Sequence, residues 1–531
     1  MKWMGVKERQ KAARALGWQG LAIKNTQFSP QLVAAAASLD LKIEGRLVKP
    51  DDPDYHTHRQ LPNWAFQDFP LFIAYCETFA DVRNCLEFAR VQNLEVVVRS
   101  GGHSTAGFSI NSGLVIDVSR LVYVIVDPQK KQAVVGAGTR FGHLNTALDV
   151  YKLHLPGGGC HDVRVGGFMQ GGGYGYTSRM FGMNCDSVLE ATVMLSDGSI
   201  VVASPTCNPD LFWALRGGTG GNFGVLLQVT YRLWDLADMC GFRIWWPLST
   251  PAEIAAAAAV LDYMQSNHMG KEAHPVKLGY QAFIAWQEST PGAGTPPRPM
   301  QGWYLLIRGM HTGTRQELDQ LLAPVKAVTA PYQELYATGS YRQLDMFTHQ
   351  KPPVPQVEDA AREDKQSAYI ARPVGVNGWR DIITRFLLSG QFNNWSLLAI
   401  EPYGGAINRV PRDATAFIHR NVDMDVYVDV FWMDETLKPE PIAFLDQFMQ
   451  FMATFGNGES YQNYPRATQT DYRDRYWGSA FTTLRAVKEK YDPQDFFKYP
   501  QAVLPDAGTA PTPVIPQLRS WIAAPIVRQV P

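Results

Sequence analysis

Two glycine-rich stretches constrain this 531-residue chain more than any other feature. One is Arg99-Ser-Gly-Gly-His-Ser-Thr-Ala-Gly107, which carries His103. The other is Pro156-Gly-Gly-Gly-Cys160, which ends on Cys160, 57 residues beyond that histidine. The first follows an apolar run at 94–98 that reads as a strand. A strand that opens into a glycine-rich loop can aim several backbone N–H groups at one anionic ligand, the usual way to cradle a phosphate. A third stretch, Gly166-Gly-Phe-Met-Gln-Gly-Gly-Gly-Tyr-Gly175, again removes Cβ atoms where a large ligand could press on the backbone. An imidazole and a thiol in such loops are well placed to be bonded to a cofactor. Taken alone, each reads more simply as a buried core side chain. The loops around them carry the sharper reading.

The length exceeds what one simple core holds, so two domains are expected. Hydrophobic residues make up 46% of the chain, enough for a folded globular protein. The formal net charge is −1 and the basic residues are dispersed, which argues against nucleic acid or an anionic membrane as the main partner. Cysteines 76, 85, 160, 185, 207 and 240 form no CxxC pair and no zinc spacing. His154, Cys160 and His161 lie close in sequence but lack an outlying partner, so no metal site is expected. The scattered, even set of cysteines reads as reduced and cytosolic. The basic N-terminus is not followed by an apolar signal core, and no uninterrupted apolar run approaches roughly 18 residues. A cytoplasmic or otherwise soluble protein is therefore expected. Oligomeric state has no signature in the sequence.

Along the chain, residues 1–69 read as a helical lead-in. From 70 to 240 short β-rich runs (96–98, 114–118, 133–136, 191–195, 225–231) alternate with helical spacing at 81–92 and 141–151. The character changes over 241–450, where an alanine-rich helix at 251–265 precedes strands near 303–308, 395–401 and 425–432. Proline-rich connections are expected at 289–299 and 351–355. Residues 451–505 read as a return to the first domain, ending in an amphipathic helix at 481–491, and 506–531 as a Pro-rich surface tail. Gly136-Ala-Gly-Thr-Arg-Phe-Gly142 follows a strand and opens a helix, like a dinucleotide fingerprint. Its spacing is GxGxxxG rather than GxGxxG. It is not a nicotinamide site on this reading.

Seven pieces, in order, carry a recognisable pattern: 99–107, 160–175, 212–224, Glu401-Pro-Tyr-Gly-Gly405, 416–420, Asn463-Tyr464 and Tyr491-Asp-Pro493. With them the chain resembles the berberine-bridge-enzyme-like branch of the vanillyl-alcohol-oxidase flavoproteins. The resemblance implies an α+β protein. Its PCMH-type FAD-binding domain would be made from 70–240 and 451–505, and an α+β substrate domain with an antiparallel sheet from 241–450. It also implies FAD held covalently through His103 and Cys160. Arg99, Ser100, Gly101, Gly102, Ser104, Gly107, Gly167, Gly171, Gly172, Tyr174, Gly224 and Asn463 match its cofactor-binding positions.

The same resemblance points to Tyr464 as the catalytic position before the final helix. Tyr427 matches a position that holds a carboxylate in the namesake enzyme, and Glu401 falls where sugar-oxidising members carry an acid. A phenol with an ordinary pKa near 10 is a poor base, so Tyr464 needs a partner and Glu401 is the rival candidate. Arg164 stands where a small residue is usual, Ala480 replaces an asparagine, and Thr105 replaces a tyrosine. The implied reaction is oxidation of an alcohol or sugar hydroxyl, O2 being reduced to H2O2. The substrate is a small molecule, with room for a bulky aromatic one. The alternatives are a flavin dehydrogenase with another acceptor, an oxidase that forms C–C bonds in a secondary metabolite, a nicotinamide-dependent reductase with non-covalent flavin, and a flavin-free binding protein. Trp245, Trp246, Trp303, Trp395 and Trp432 are candidate stacking platforms, although aromatics at strand spacing are more often core.

Overall fold

In the computed structural model, residues 41–270, 275–288, 300–348 and 361–505 are described. The lead-in up to residue 40, the connections expected at 289–299 and 351–355, and the tail at 506–531 lie outside them. The valine-rich run 96–98 becomes the strand Val96–Arg99, parallel to Leu114–Asp117, which in turn is parallel to Phe72–Tyr75. Strands of this kind are apolar throughout because both faces are covered. Arg46–Val48 closes the four-stranded sheet as an antiparallel edge. The helix Phe79–Val91 packs beside it, started by a capping box in which Thr78 accepts from the Asp81 N–H. A second, five-stranded antiparallel sheet follows, in the order 124–127, 132–136, 225–232, 188–194, 200–203.

A seven-stranded antiparallel sheet is built from the middle of the chain. Its order is Gln333–Gly339, Met239–Pro247, Gln301–His311, Leu278–Glu288, Leu397–Pro402, Met424–Trp432, Arg362–Ile370. Side chains alternate between its faces. Phe242, Ile244, Ile284, Ile400, Val426 and Val428 enter a core shared with the helices Pro251–His268, Arg315–Val328, Gly375–Phe386 and Pro439–Met452. The alternate positions Trp245, Phe283, Ala285, Leu397, Ala399 and Tyr427 form a separate cluster on the opposite face. That face looks toward the glycine loops.

The core of the first half also takes in Tyr461, Tyr476, Trp477, Leu484, Val487 and Phe497, so the C-terminal segment packs with residues 71–233. Gln462 Nε2 and Trp477 Nε1 both donate to the Gly217 carbonyl, each at 3.0 Å. The two halves meet closely where Gly279 presses on the Tyr176 carbonyl. A Cβ at 279 would lie 1.6 Å from that oxygen, and backbone on both sides cannot yield. Gly279→Ala is expected to destabilise by about 1–3 kcal/mol or more, as overpacking does, read as a lower thermal midpoint. An unchanged midpoint would mean that the halves can separate at this contact without cost.

Candidate active site

Between the glycine loops and the open face of the seven-stranded sheet lies a cavity of about 520 Å³. One wall is backbone-rich: Ser100, Gly101, Gly102, His103 and Ser104 from the first loop, then Gly158, Gly159 and Cys160 from the second. Gly167, Tyr174, Gly224 and Asn463 also line it. The facing wall carries Glu401, Tyr427 and Tyr464. Residues from four distant parts of the chain thus share one space.

Four of the residues matched as cofactor-binding lie off this wall. Arg99 is buried behind it, paired with Asp117 at 2.5 Å and donating to the His58 carbonyl. Gly107 packs under the Phe66 ring, where a Cβ would come within 2.4 Å. Gly171 leaves room for Asn463, whose Oδ1 a Cβ there would approach to 2.0 Å. Gly172 adopts φ +109 against Phe417, a backbone state that favours glycine. These four shape the loops that the wall residues stand on.

Arg164, the departure noted in the sequence, lines the cavity but turns its guanidinium back. Its Nη1 donates to the Ser119 and Gly138 carbonyls, at 2.5 and 2.6 Å. Its stem lies within 3.3 Å of where a Gly101 Cβ would be. Burial, with the positive charge of Arg164 adding to it, pushes the His103 imidazole down to about 4. His103 is therefore neutral at neutral pH, with a nitrogen lone pair to offer. Thr105 Oγ1 donates to the Pro465 carbonyl at 2.7 Å, tying the His103 loop to the C-terminal segment beside Tyr464.

Opposite, Tyr464 Oη donates to Glu401, 3.1 and 3.2 Å from its two oxygens. Gln281 Nε2 donates to Glu401 Oε1 at 2.7 Å. Burial pushes the Glu401 carboxyl up to about 7, the Gln281 and Tyr464 hydrogen bonds acting against it. Tyr464 is driven well above the usual phenol value by burial and by the Glu401 charge. The Tyr427 ring sits 4.6 Å from the Tyr464 ring, and burial also raises its phenol. Tyr174 Oη donates to the Pro402 carbonyl at 2.8 Å, and its ring stacks on Tyr403. Asn463 Nδ2 donates to the Phe168 carbonyl and to Tyr461 Oη.

Several wall residues had no signal in the sequence. Lys365 Nζ lies 4.8 Å from the centroids of both the Tyr427 and Tyr464 rings and pairs with Asp429 at 3.0 Å and Glu363 at 3.3 Å. Burial opposes its charge, but the two carboxylates hold its pKa above the ordinary lysine value. Gln281 and Phe283 from Leu278–Glu288, and Arg308 from Gln301–His311, join it from further across the same sheet. In sequence, Glu363-Asp-Lys365 reads as a solvated charge run; only strand alternation (363, 365, 367) turns Lys365 inward. None of the five tryptophans proposed as platforms lines the cavity; Trp245 and Trp432 are core.

Comparison with known proteins agrees with this architecture. Residues 70–204 match the FAD binding domain model, and 460–504 match the model for berberine and berberine-like proteins. An uncharacterized FAD-linked oxidoreductase of Bacillus subtilis (strain 168), YgaK, is 27% identical over 87% of this chain and 98% of its own length. A carbohydrate oxidase of Microdochium nivale is 29% identical, covering 86% of this chain and 92% of the relative. Among solved structures, the wild-type BBE-like 1 protein of Physcomitrella patens superposes with a TM-score of 0.75. It is 25% identical, over 89% of this chain and 98% of that one. Together the two family models, these relatives and this fold support a berberine-bridge-enzyme-like FAD-linked oxidoreductase.

The cavity fits FAD. Gly101, Gly102, Gly158, Gly159, Gly166 and Gly167 make much of one wall bare backbone, and no atom lies within 4 Å of where a Gly167 Cβ would stand. Among the described residues no group of side chains has the arrangement of a metal site, and no helix is long and apolar enough to cross a membrane.

Proposed function

We propose that this protein is an FAD-dependent oxidase of an alcohol or sugar hydroxyl, its flavin tethered through His103 and Cys160 and its electrons passed to O2 to give H2O2. The hydrogen-bonded pair Tyr464–Glu401, facing the glycine-lined wall across the cavity, carries this reading. When bound, FAD supplies the hydride acceptor, which no side chain can. The neutral His103 and the thiol of Cys160, both on that wall, are the residues that would bond it.

The substrate hydroxyl must lose its proton as its carbon loses hydride. Tyr464 alone is a poor acceptor, since burial disfavours its phenolate. Its proton is already directed at Glu401, so Tyr464 can take a proton from the substrate while passing its own to the carboxylate. Glu401, held near 7, is the terminal base, with a pKa matched to neutral operation. Tyr427 and Lys365 flank the phenol, and the Lys365 charge favours any negative charge that develops on it. Gln281, Arg308 and Lys365 beside Phe283 suit a hydroxylated ring that needs both hydrogen bonds and an apolar face. The carbohydrate oxidase relative supports the same substrate class.

The test is an anaerobic titration of the purified protein with mono- and oligosaccharides, then with aromatic and secondary alcohols. Sugars are expected to bleach the flavin band, and readmitted air to restore it with one H2O2 per sugar oxidised. A bleached band that air does not restore, but an added artificial electron acceptor does, would leave a dehydrogenase. If neither sugars nor alcohols bleach the band, the oxidase reading fails and oxidative C–C bond formation replaces it.

A further inference from the structure

The loop that carries Cys160 is gripped by an element from the other half of the molecule. The helix Tyr341–Thr348 follows directly on Gln333–Gly339, the edge strand of the seven-stranded sheet. It touches alternate residues of the loop. Tyr341 Oη donates to the Gly157 carbonyl at 3.4 Å. Asp345 Oδ1 lies 4.0 Å from where a Gly159 Cβ would be, an ordinary contact distance. Asp345 Oδ2 lies 3.2 Å from Nε2 of His161. Cys160 sits between the second and third of these contacts, on the cavity wall. The helix itself is anchored by apolar packing of Tyr341 and Leu344 with Tyr176, Leu236, Met239 and Met310, which does not involve Asp345.

Asp345 is 1% exposed, while the His161 side chain is 31% exposed. A carboxyl buried against one half-exposed histidine, with Arg308 the other charge acting on it, does little for stability. Such pairs often break even or worse. Their better-attested use is to fix one arrangement among several. Here the arrangement is that of a short glycine-rich loop, Gly157-Gly158-Gly159, which has little conformational preference of its own.

We propose that the helix Tyr341–Thr348 is a latch that sets the Cys160 loop for covalent attachment of the flavin, with Asp345, acting through His161, as its positioning residue. This rests on the tethered-flavin reading above. The bond formed is between Cys160 Sγ and a ring carbon. The thiol proton and the hydrogen on that carbon are lost together with two electrons, which O2 takes up as H2O2. A thiol displaced by even 1 Å reacts far more slowly. His103 lies on a different loop, which this helix does not touch; its imidazole meets the Asp162 backbone, one residue past His161, so the latch bears on Cys160 more directly than on His103.

The experiment compares wild type with Asp345→Asn, His161→Gln and Cys160→Ala. Each protein, purified from aerobic culture, is digested, and the flavin-bearing His103 and Cys160 peptides are quantified by mass spectrometry. In Asp345→Asn and His161→Gln the Cys160 adduct is expected to fall about tenfold or more, the His103 adduct remaining at its wild-type level. Wild-type proportions of the Cys160 adduct in both variants would overturn the latch. So would a parallel fall in both adducts, which is the mark of a merely destabilised fold. If Asp345→Asn does not fold, His161→Gln, at a half-exposed position, decides by the same readout. Wild type with flavin on His103 and none on Cys160 would instead overturn the tethering through Cys160 itself, and the latch with it. Cys160→Ala fixes the background of the measurement.

Discussion

Glu401→Gln is expected to lower turnover by about 10²–10⁴-fold, the usual worth of a positioned base, while the flavin stays bound. The amide preserves the shape of the side chain. It can still accept from Gln281 and Tyr464, so the cavity wall survives and only the proton sink is lost. Wild-type kcat/KM should fall as pH drops through about 7, the value to which burial pushes this carboxyl, because the protonated acid cannot accept. The variant should lack that limb. Stability should move the opposite way. The folded pKa lies above the ordinary 4.5 of a glutamate, so the native state holds a proton that the unfolded chain has released. Burial of Glu401 therefore costs nothing below about pH 4.5, and the cost grows between 4.5 and 7 and is complete above 7. Over that window wild type should lose about 3 kcal/mol relative to the variant. A variant with full activity and an unchanged pH profile would remove Glu401 from the chemistry and leave Tyr464 to act through another group.

The second large effect is expected behind the cavity wall, where the C-terminal helix docks. Lys488 Nζ is completely buried, paired with Asp492 at 2.7 Å and Asp495 at 3.1 Å, and it donates to the Asn222 and Phe497 carbonyls. It fastens the helix Ala480–Tyr491 to the glycine-rich turn that ends near Gly224. Asp492 is likewise buried and accepts from the Phe496 and Phe497 N–H groups. Lys488→Met would leave that carboxylate and two carbonyls without their cation. Breaking such a buried pair costs about 3–5 kcal/mol, so the urea midpoint should drop sharply. Lys488→Met with Asp492→Asn should recover part of the loss, because no buried charge is then left over. A single variant as stable as wild type would show that water reaches Asp492 and that the C-terminal segment is only loosely docked.

Much of the architecture is legible in the residue order, for local reasons. Val96, Val97 and Val98 are apolar without alternation, as strands covered on both faces are. Thr78 with Asp81, and Thr250 with Glu253, write helix starts into the chain as capping boxes. The family motifs are legible because runs of glycine such as 101–102, 158–159 and 166–167 stand out in the residue order without knowledge of their neighbours. Glu401, Tyr427 and Tyr464 came from motif position, and alternation along 424–432 cannot say which face of the sheet meets a ligand.

The sequence by itself determined the class of fold, the FAD-linked family and the two loops that carry His103 and Cys160. These are properties of contiguous residues, whose backbone freedom and periodicity act over a few positions. Only the tertiary structure decided that Tyr464 bonds Glu401 across 63 residues, that Lys365 faces two tyrosine rings, that Arg164 turns to backbone carbonyls, and that Asp345 reaches His161. Each depends on which strands lie side by side and which face is covered. That is set by burial summed over the whole chain, and no single segment carries it.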